Sequence, residues 1–229
     1  MTQLDPHDIP CAICARTSHQ TLLTGATPLE PPDFDTRPGE LLRSTLRYWV
    51  MLCPHCGYAA ADLREADARA ATLVRSPEYQ QRLAAAELPP EARRFAAYAF
   101  LLESFDLFAD AGWASLHAAW MCDDERHPDA ARLCRADALR LWKRGKSASQ
   151  NFLDDHLQEF ALVTDVLRRL GDFDAAREAC LEALTLDDIP PVIDDMLRRQ
   201  LTLIQQKETA AHSLRELERP SPGQRVTLN

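Results

Sequence analysis

The sequence predicts a mainly α protein fronted by a small, cysteine-bearing β module, and three observations carry that prediction. Prolines and glycines crowd the first 60 residues, at Pro6, Pro10, Pro28, Pro31, Pro32, Pro38 and Pro54 and at Gly25, Gly39 and Gly57. Such density forbids long helices and favours turns and short strands. Beyond residue 60 the chain is rich in Ala, Leu, Arg and Glu, which lose least on entering a helix. The cysteines divide the same way: Cys11, Cys14, Cys53 and Cys56 form two Cys-x-x-Cys pairs, whereas Cys122, Cys134 and Cys180 stand singly.

In the front part, the β-like run Leu46-Arg47-Tyr48-Trp49-Val50-Met51-Leu52 leads directly into Cys53. Each cysteine pair then sits on a tight turn, a knuckle, and two knuckles separated by 38 residues match the ligand spacing of a structural zinc site. In the second, Cys-Pro-His-Cys-Gly, Pro54 stiffens the turn and Gly57 supplies the positive φ that aims backbone N–H groups at sulfur. The first knuckle, Cys11-Ala-Ile-Cys14-Ala15, lacks that glycine. A four-cysteine zinc-ribbon-like module over residues 1–61 is the expectation, with one structural Zn2+ on Cys11, Cys14, Cys53 and Cys56. His7, His19 and His55 are near enough in sequence to compete as ligands, with His19 in place of Cys14 a chemically allowed Cys3His set. Two matched knuckles need no substitute, so the histidines are expected on the surface.

The same four residues, Cys53-Pro-His-Cys56, also resemble the redox motif of DsbA-like thiol oxidases. That fold needs further strands after the motif to continue a βαβ sheet, and the residues that follow read as helices. It also leaves Cys11 and Cys14 unexplained.

The helical part, residues 62–215, shows apolar residues at a period near 3.6. Phe95, Tyr98, Leu102 and Phe105 share one face, as do Ile193, Met196, Leu197, Leu201 and Ile204. Breaks are expected at Leu88-Pro-Pro, around Gly112, at His127-Pro128, at Gly145, at Gly171 and at Ile189-Pro-Pro, leaving helices of roughly 12 to 20 residues joined by short turns. DAARLCRADALRL, residues 129–141, aligns without gaps to DAAREACLEALTL, residues 174–186. The second copy, entered through Leu170-Gly-Asp-Phe173, resembles the second half of a tetratricopeptide (TPR) repeat, with Ala176 and Ala183 as the small residues that admit a neighbouring helix. Its partner helix is expected over Phe160–Leu170. In the first copy Arg126-His127-Pro128 replaces the turn glycine and aromatic, so the fold class is TPR-like antiparallel helical hairpins behind the zinc-ribbon-like module.

The whole pattern also looks like an uncharacterised bacterial family of unknown function. The shared features are an N-terminal C-x2-C, a Trp-Val strand leading into Cys-Pro-x-Cys-Gly-Tyr-Ala, and helices containing Leu116, His117, Ala119 and Trp120. The resemblance implies a cytoplasmic zinc module joined to TPR-like helices and supplies no activity.

Composition narrows the function classes. A 229-residue chain with 46% hydrophobic residues can bury a substantial core. Its net charge of −9 disfavours nucleic acid as a partner, and residues 1–60 hold four Arg, no Lys and six acids. No apolar run approaches the roughly 18 residues of a membrane span, and MTQLDPHDIPCAIC lacks the basic and apolar segments of a secretory signal. Cytoplasmic location, and therefore reduced cysteines, is the expectation. Gly145-Lys146-Ser147 imitates the end of a Walker A loop, but Arg140 stands where its first glycine belongs, and a helix stop is the expected role. His117, Cys122, Asp123, Asp124, Glu125 and His127 form the other cluster with metal or acid–base chemistry; a solvated acidic turn at a helix end is its expected role. Cys122, Cys134 and Cys180 are expected as small buried hydrophobes, and Trp113, Trp120 and Trp142 as core residues rather than groove anchors.

The polar stretch Asp33-Phe-Asp-Thr-Arg37, with Arg43, Ser44 and Thr45, has two readings: loop residues that pair with one another, or a surface in which Arg37 and Arg43 grip an anionic partner group. The expected function is a non-enzymatic protein or peptide interaction module. A thiol–disulfide oxidoreductase is the first alternative and a zinc-ribbon nucleic-acid binder the second. A second copy of the chain is a candidate partner, and residues 216–229 are expected as a disordered tail.

Overall fold

The computed structural model describes residues 3–27 and 29–217, and it is mainly α with two small antiparallel sheets before residue 61. Of the tail expected over residues 216–229, Glu216 and Leu217 belong instead to a 3-10 turn, and the rest lies outside the described residues.

Strand β1 (Gln3–Pro10) pairs antiparallel with β2 (Thr17–Gly25), and the first knuckle forms the turn between them. This hairpin is the longest β element, although its prolines argue against regular structure. In a two-stranded ribbon each strand has a free edge, so Pro6 and Pro10 need not break a ladder. The expected strand over Leu46–Leu52 is mostly something else. After the short helix α1 (Glu40–Arg43), Leu46–Tyr48 is a 3-10 turn, and only Met51–Leu52 is extended, as β3, paired with β4 (Ala59–Ala60). Local hydrogen bonds override the β propensity: Thr45 Oγ1 donates to the Leu42 carbonyl at 2.7 Å and accepts from Trp49 Nε1 at 3.1 Å.

The helices follow in order: α2 (Ala70–Leu73), α3 (Pro77–Ala84), α4 (Pro90–Ser104), α5 (Phe108–Asp124), α6 (Pro128–Ser147), α7 (His156–Leu170), α8 (Phe173–Ala183) and α9 (Pro191–Gln205), then a 3-10 turn at Leu214–Leu217. Helices α3, α4, α6 and α9 open on a proline in their first turn, where the missing N–H is not needed. From α3 onward each helix packs against the next, so short turns generate a run of antiparallel hairpins, and α9 folds back onto α7.

The breaks at Leu88-Pro-Pro, His127-Pro128, Gly171 and Ile189-Pro-Pro fall between helices. Those at Gly112 and Gly145 do not, because both residues lie inside helices. A Cβ on Gly112 would sit 2.3 Å from the Trp142 ring, so this glycine lets α5 and α6 close on each other. The chain stops its helices instead with single left-handed residues that are not glycine, Asp106 after α4, Arg126 after α5 and Ser149 after α6. The repeated segments occupy α6 and α8, and Ala131, Ala138, Ala176 and Ala183 are all buried.

One apolar core runs from the cysteine module into the helices, joining Ile9, Val50, Tyr58 and Leu63 to Tyr79, Phe95, Leu116, Trp120 and Trp142. A second core lies among α7, α8 and α9, and Phe34 from the loop before α1 completes it. That loop acts as a strap. Phe34 N–H donates to the His212 carbonyl and Leu214 N–H to the Pro32 carbonyl, both at 2.8–2.9 Å, tying the front of the chain to the segment after α9.

Behind the strap lies an ion network. Asp35, wholly buried, pairs with Arg169 of α7 and accepts a 3.0 Å bond from Trp120 Nε1 of α5, with Arg135 of α6 at 3.8 Å. Asp123 accepts from Arg135 at 2.5 Å and from Arg169 at 2.7 Å; Arg37 pairs with Asp124 and Arg43 with Asp33. Burial works against ionising Asp35, but Arg169, Arg135 and the Trp120 N–H together hold its carboxyl below the usual range. Asp123 is therefore a structural anchor, whereas Asp124, Glu125 and His127 are exposed at the end of α5, as expected of a solvated turn, and Arg37, itself buried, reaches Asp124 from within the chain.

Candidate metal centre

The four cysteines of the two knuckles meet at the turn of the β1–β2 hairpin, Cys11 and Cys53 fully buried and Cys14 and Cys56 partly so. Their sulfurs lie within 4.8 Å of one another. Contacts cross between knuckles: Cys11 Sγ is 3.7 Å from Cys56 Sγ, and Cys14 Sγ is 3.7 Å from Cys53 Sγ. A disulfide would need about 2.05 Å, and all four are free thiols. Four sulfurs each about 2.3 Å from a central zinc stand about 3.8 Å apart along a tetrahedral edge. The donor set therefore fits one tetrahedral ion.

The two knuckles are built alike despite their different sequences. In the first, Ala15 N–H bonds the Cys11 carbonyl and Cys11 N–H the Arg16 carbonyl; in the second, Gly57 N–H bonds the Cys53 carbonyl and Cys53 N–H the Tyr58 carbonyl. Both turns need a left-handed residue after their second cysteine, Gly57 at φ 78 and Ala15 at φ 57. The leading sulfur in each also receives backbone N–H groups, Cys11 from Cys14 and Ile13, Cys53 from Cys56 and His55. Burial raises the Cys11 thiol above its ordinary value despite those bonds; at Cys53 burial is outweighed by the N–H groups and neighbouring thiols, and its pKa falls. Burial and the surrounding thiols push Cys56 strongly up. With four thiols crowded together, full ionisation needs a cation among them.

Residues outside the motifs hold the knuckles in place. Tyr79, the buried residue of α3, accepts from Ala59 N–H at 3.0 Å and donates to the Gly57 carbonyl at 2.7 Å. Tyr58 Oη donates to the Glu65 carbonyl at 2.8 Å, and Ala12 N–H to the Leu63 carbonyl at 2.8 Å. Tyr79 escaped the sequence reading, although a lone aromatic within Pro-Glu-Tyr-Gln-Gln-Arg is the natural buried anchor of so polar a helix.

His7, His19 and His55 lie on the surface, His19 Nδ1 against Asp8 at 3.2 Å and His55 Nε2 near the Thr17 carbonyl at 3.3 Å. Among the described residues the four cysteines are the group of ligand type that converges. His117 packs instead among Trp49, Phe95, Trp113 and Trp120, and burial lowers its pKa to about 4. Cys122, Cys134 and Cys180 are buried as expected, with Cys180 Sγ donating to the Leu197 carbonyl at 3.2 Å. Trp120 and Trp142 are core residues, while Trp113 is partly buried and donates to the Phe152 carbonyl at 2.8 Å. Lys146 of the Walker-like Gly-Lys-Ser ion-pairs with Glu159 on α7, and α6 ends at Ser147. No described helix is long and apolar enough to cross a membrane. Set against known protein families, curated proteins and solved structures, the chain matches none.

Proposed function

We propose that Cys11, Cys14, Cys53 and Cys56 hold one structural zinc ion, and that the chain is a non-enzymatic interaction protein whose TPR-like helices receive a protein or peptide. The observation that carries the metal reading is the pair of 3.7 Å sulfur–sulfur contacts between knuckles, close to the edge of a zinc–sulfur tetrahedron. Thiolates favour zinc among common divalent ions, and four of them leave no open position for water or substrate, so the ion organises rather than reacts. On this reading residues 1–61 are the zinc module and 62–215 the helical one. Reduced thiols suit the cytoplasm.

An apolar depression of about 280 Å3 among α6, α7 and α8 supports a peptide partner. Leu139, Trp142, Phe152, Phe160 and Val163 line it; at its edge Lys146 and Glu159 neutralise each other, leaving Lys143 and His156 beside them. A short apolar segment bearing an acidic residue has the matching chemistry. A thiol oxidoreductase needs an accessible attacking sulfur, and Cys53 is fully buried.

The test is metal content per chain on protein purified without added metal or chelator, with native thiol reactivity on the same sample. One zinc per chain, with the four knuckle thiols protected until a chelator is added, supports the reading. A metal-free protein whose Cys53 and Cys56 cycle between dithiol and disulfide would replace it with the redox alternative.

A further inference from the structure

Beside the second knuckle lies a cavity of about 340 Å3 lined by His19, Gln20 and Thr21 of β2, Arg47 and Tyr48 of the 3-10 turn, Val50–Leu52, Pro54, and Arg94 of α4. No Asp or Glu is among the lining residues. That is unusual ground in a chain with 35 acids against 26 Lys and Arg, where Arg37, Arg43, Arg64, Arg69, Arg135, Arg140 and Arg169 all meet a carboxylate.

Arg47 and Arg94 differ from these. Among the described residues neither forms an ion pair or a side-chain hydrogen bond. Arg47 is exposed, whereas Arg94 is partly buried and its Nε is sealed from solvent with no acceptor. Arg47 and Arg94, on separate elements, both line this acid-free cavity, while Arg47 also borders a second cavity that holds Glu40, Glu91, Asp124 and Glu125; two unpaired guanidinium groups beside one cavity suit phosphate or carboxylate oxygens. Gln20 and Thr21 add polar groups, and Tyr48, Val50, Met51 and Leu52 offer an apolar wall. Asp8 meets the rim through its bond to His19 Nδ1.

We propose that this cavity is a binding site for a small organic oxyanion, a phosphate monoester or carboxylate with a compact apolar body, held by Arg47 and Arg94. The volume sits at the lower end of small-molecule pockets, roughly 300–1,000 Å3, which favours a one-ring ligand over a chain. The site exists only when four pieces are assembled: the hairpin, the knuckle, the 3-10 turn that carries Arg47, and α4. Gln20 Nε2, donating to the Leu52 carbonyl at 3.2 Å, fastens the first two together. An anion bound there would join the cysteine module to the helical body by charge as well as by core.

The experiment is calorimetric titration of the full chain, in its as-purified metal state, with phenyl phosphate and separately with benzoate at constant ionic strength. Benzyl alcohol serves as the neutral control. Saturable binding of at least one anion, absent for the alcohol and weakened at least roughly tenfold by both Arg47→Gln and Arg94→Gln, supports the site. Which anion binds tells phosphate from carboxylate. Arg47 is exposed, so its variant keeps the test open if Arg94→Gln lowers the melting temperature. No saturable binding of either anion, or binding equal in the Arg47→Gln protein, overturns the proposal. Metal content measured on the same samples separates this outcome from failure of the zinc reading, since either can fail alone.

Discussion

Ala15 occupies, at φ 57, the place that Gly57 fills at φ 78 in the other knuckle. A left-handed residue with a Cβ costs about 1–2 kcal/mol, part of which glycine returns through its greater freedom in the unfolded chain. Ala15→Gly is therefore expected to stabilise the as-purified protein by about 0.5–1 kcal/mol, read as a higher urea midpoint. Gly57→Ala should do the reverse and by more, because a Cβ there would also lie 2.9 Å from Leu83 Cδ1. An unchanged midpoint for Ala15→Gly would mean the turn is not held left-handed in solution.

His117 gives a second prediction at this scale. Enclosed by aromatic rings, with Asp35 as the one charge that favours its protonation, it titrates at about 4 instead of 6.5. Between those values the unfolded chain binds a proton that the folded chain refuses, so stability is lost as pH falls through that window and regained as it rises. At pH 5 the loss amounts to about 2 kcal/mol. Thiolate ligands also weaken in acid, so the comparison has to be differential. From pH 7 to 5, wild type should lose about 2 kcal/mol more than His117→Phe by urea unfolding. Equal losses would place the imidazole in a wetter setting.

At the scale of elements, the strap carries the largest consequence. Asn at position 35 would keep the shape of Asp35 and remove its charge, leaving Arg169 and Arg135 facing each other around a neutral amide. Breaking a buried pair on one side costs about 3–5 kcal/mol, so Asp35→Asn should lower the unfolding midpoint steeply. Arg37→Ala, whose partner Asp124 is part exposed, should cost less. Similar small losses in both would show that the network is hydrated.

The pairing of Arg43 with Asp33 inside the stretch was legible in the sequence, but the rest of the network was not, and the reason is distance along the chain. Asp35 finds Trp120 and Arg169 across 85 and 134 residues, where no periodicity or local motif reaches. The knuckles, the helix faces and the proline-led helix starts were legible because each is set within a few residues: Pro128 needs only its own ring, and Met196, Leu197 and Ile204 only their spacing. Glycine misled at Gly112 because its missing Cβ serves Trp142, a contact between helices, rather than a turn. The Leu46–Leu52 run misled because Thr45 and Trp49 close a local turn that outcompetes a strand with only two residues to pair.

For the whole molecule, the question is whether the cysteine module and the helices unfold together. Their composition suggests two units, but the apolar core does not stop between them: Cys11, Cys53 and Ala59 share a buried cluster with Tyr79, Leu101 and Trp120. The strap adds a second tie at the far end, through Phe34 in the core of α7, α8 and α9. Two ties at opposite ends make partial unfolding expensive, since releasing the front module would expose the inner face of α4 and pull Asp35 from its arginines. Calorimetry of the as-purified protein should therefore show one transition, and adding a chelator should move that whole transition to lower temperature. Independent units would behave otherwise: chelation would abolish one transition and leave the helical one in place. A Phe34→Ala variant sharpens the distinction, because it loosens only the far tie. If the two ties act together, a core deletion of this kind, at about 3–5 kcal/mol, should make the metal-dependent part separate from the rest as its own lower transition, whereas in wild type the two remain fused.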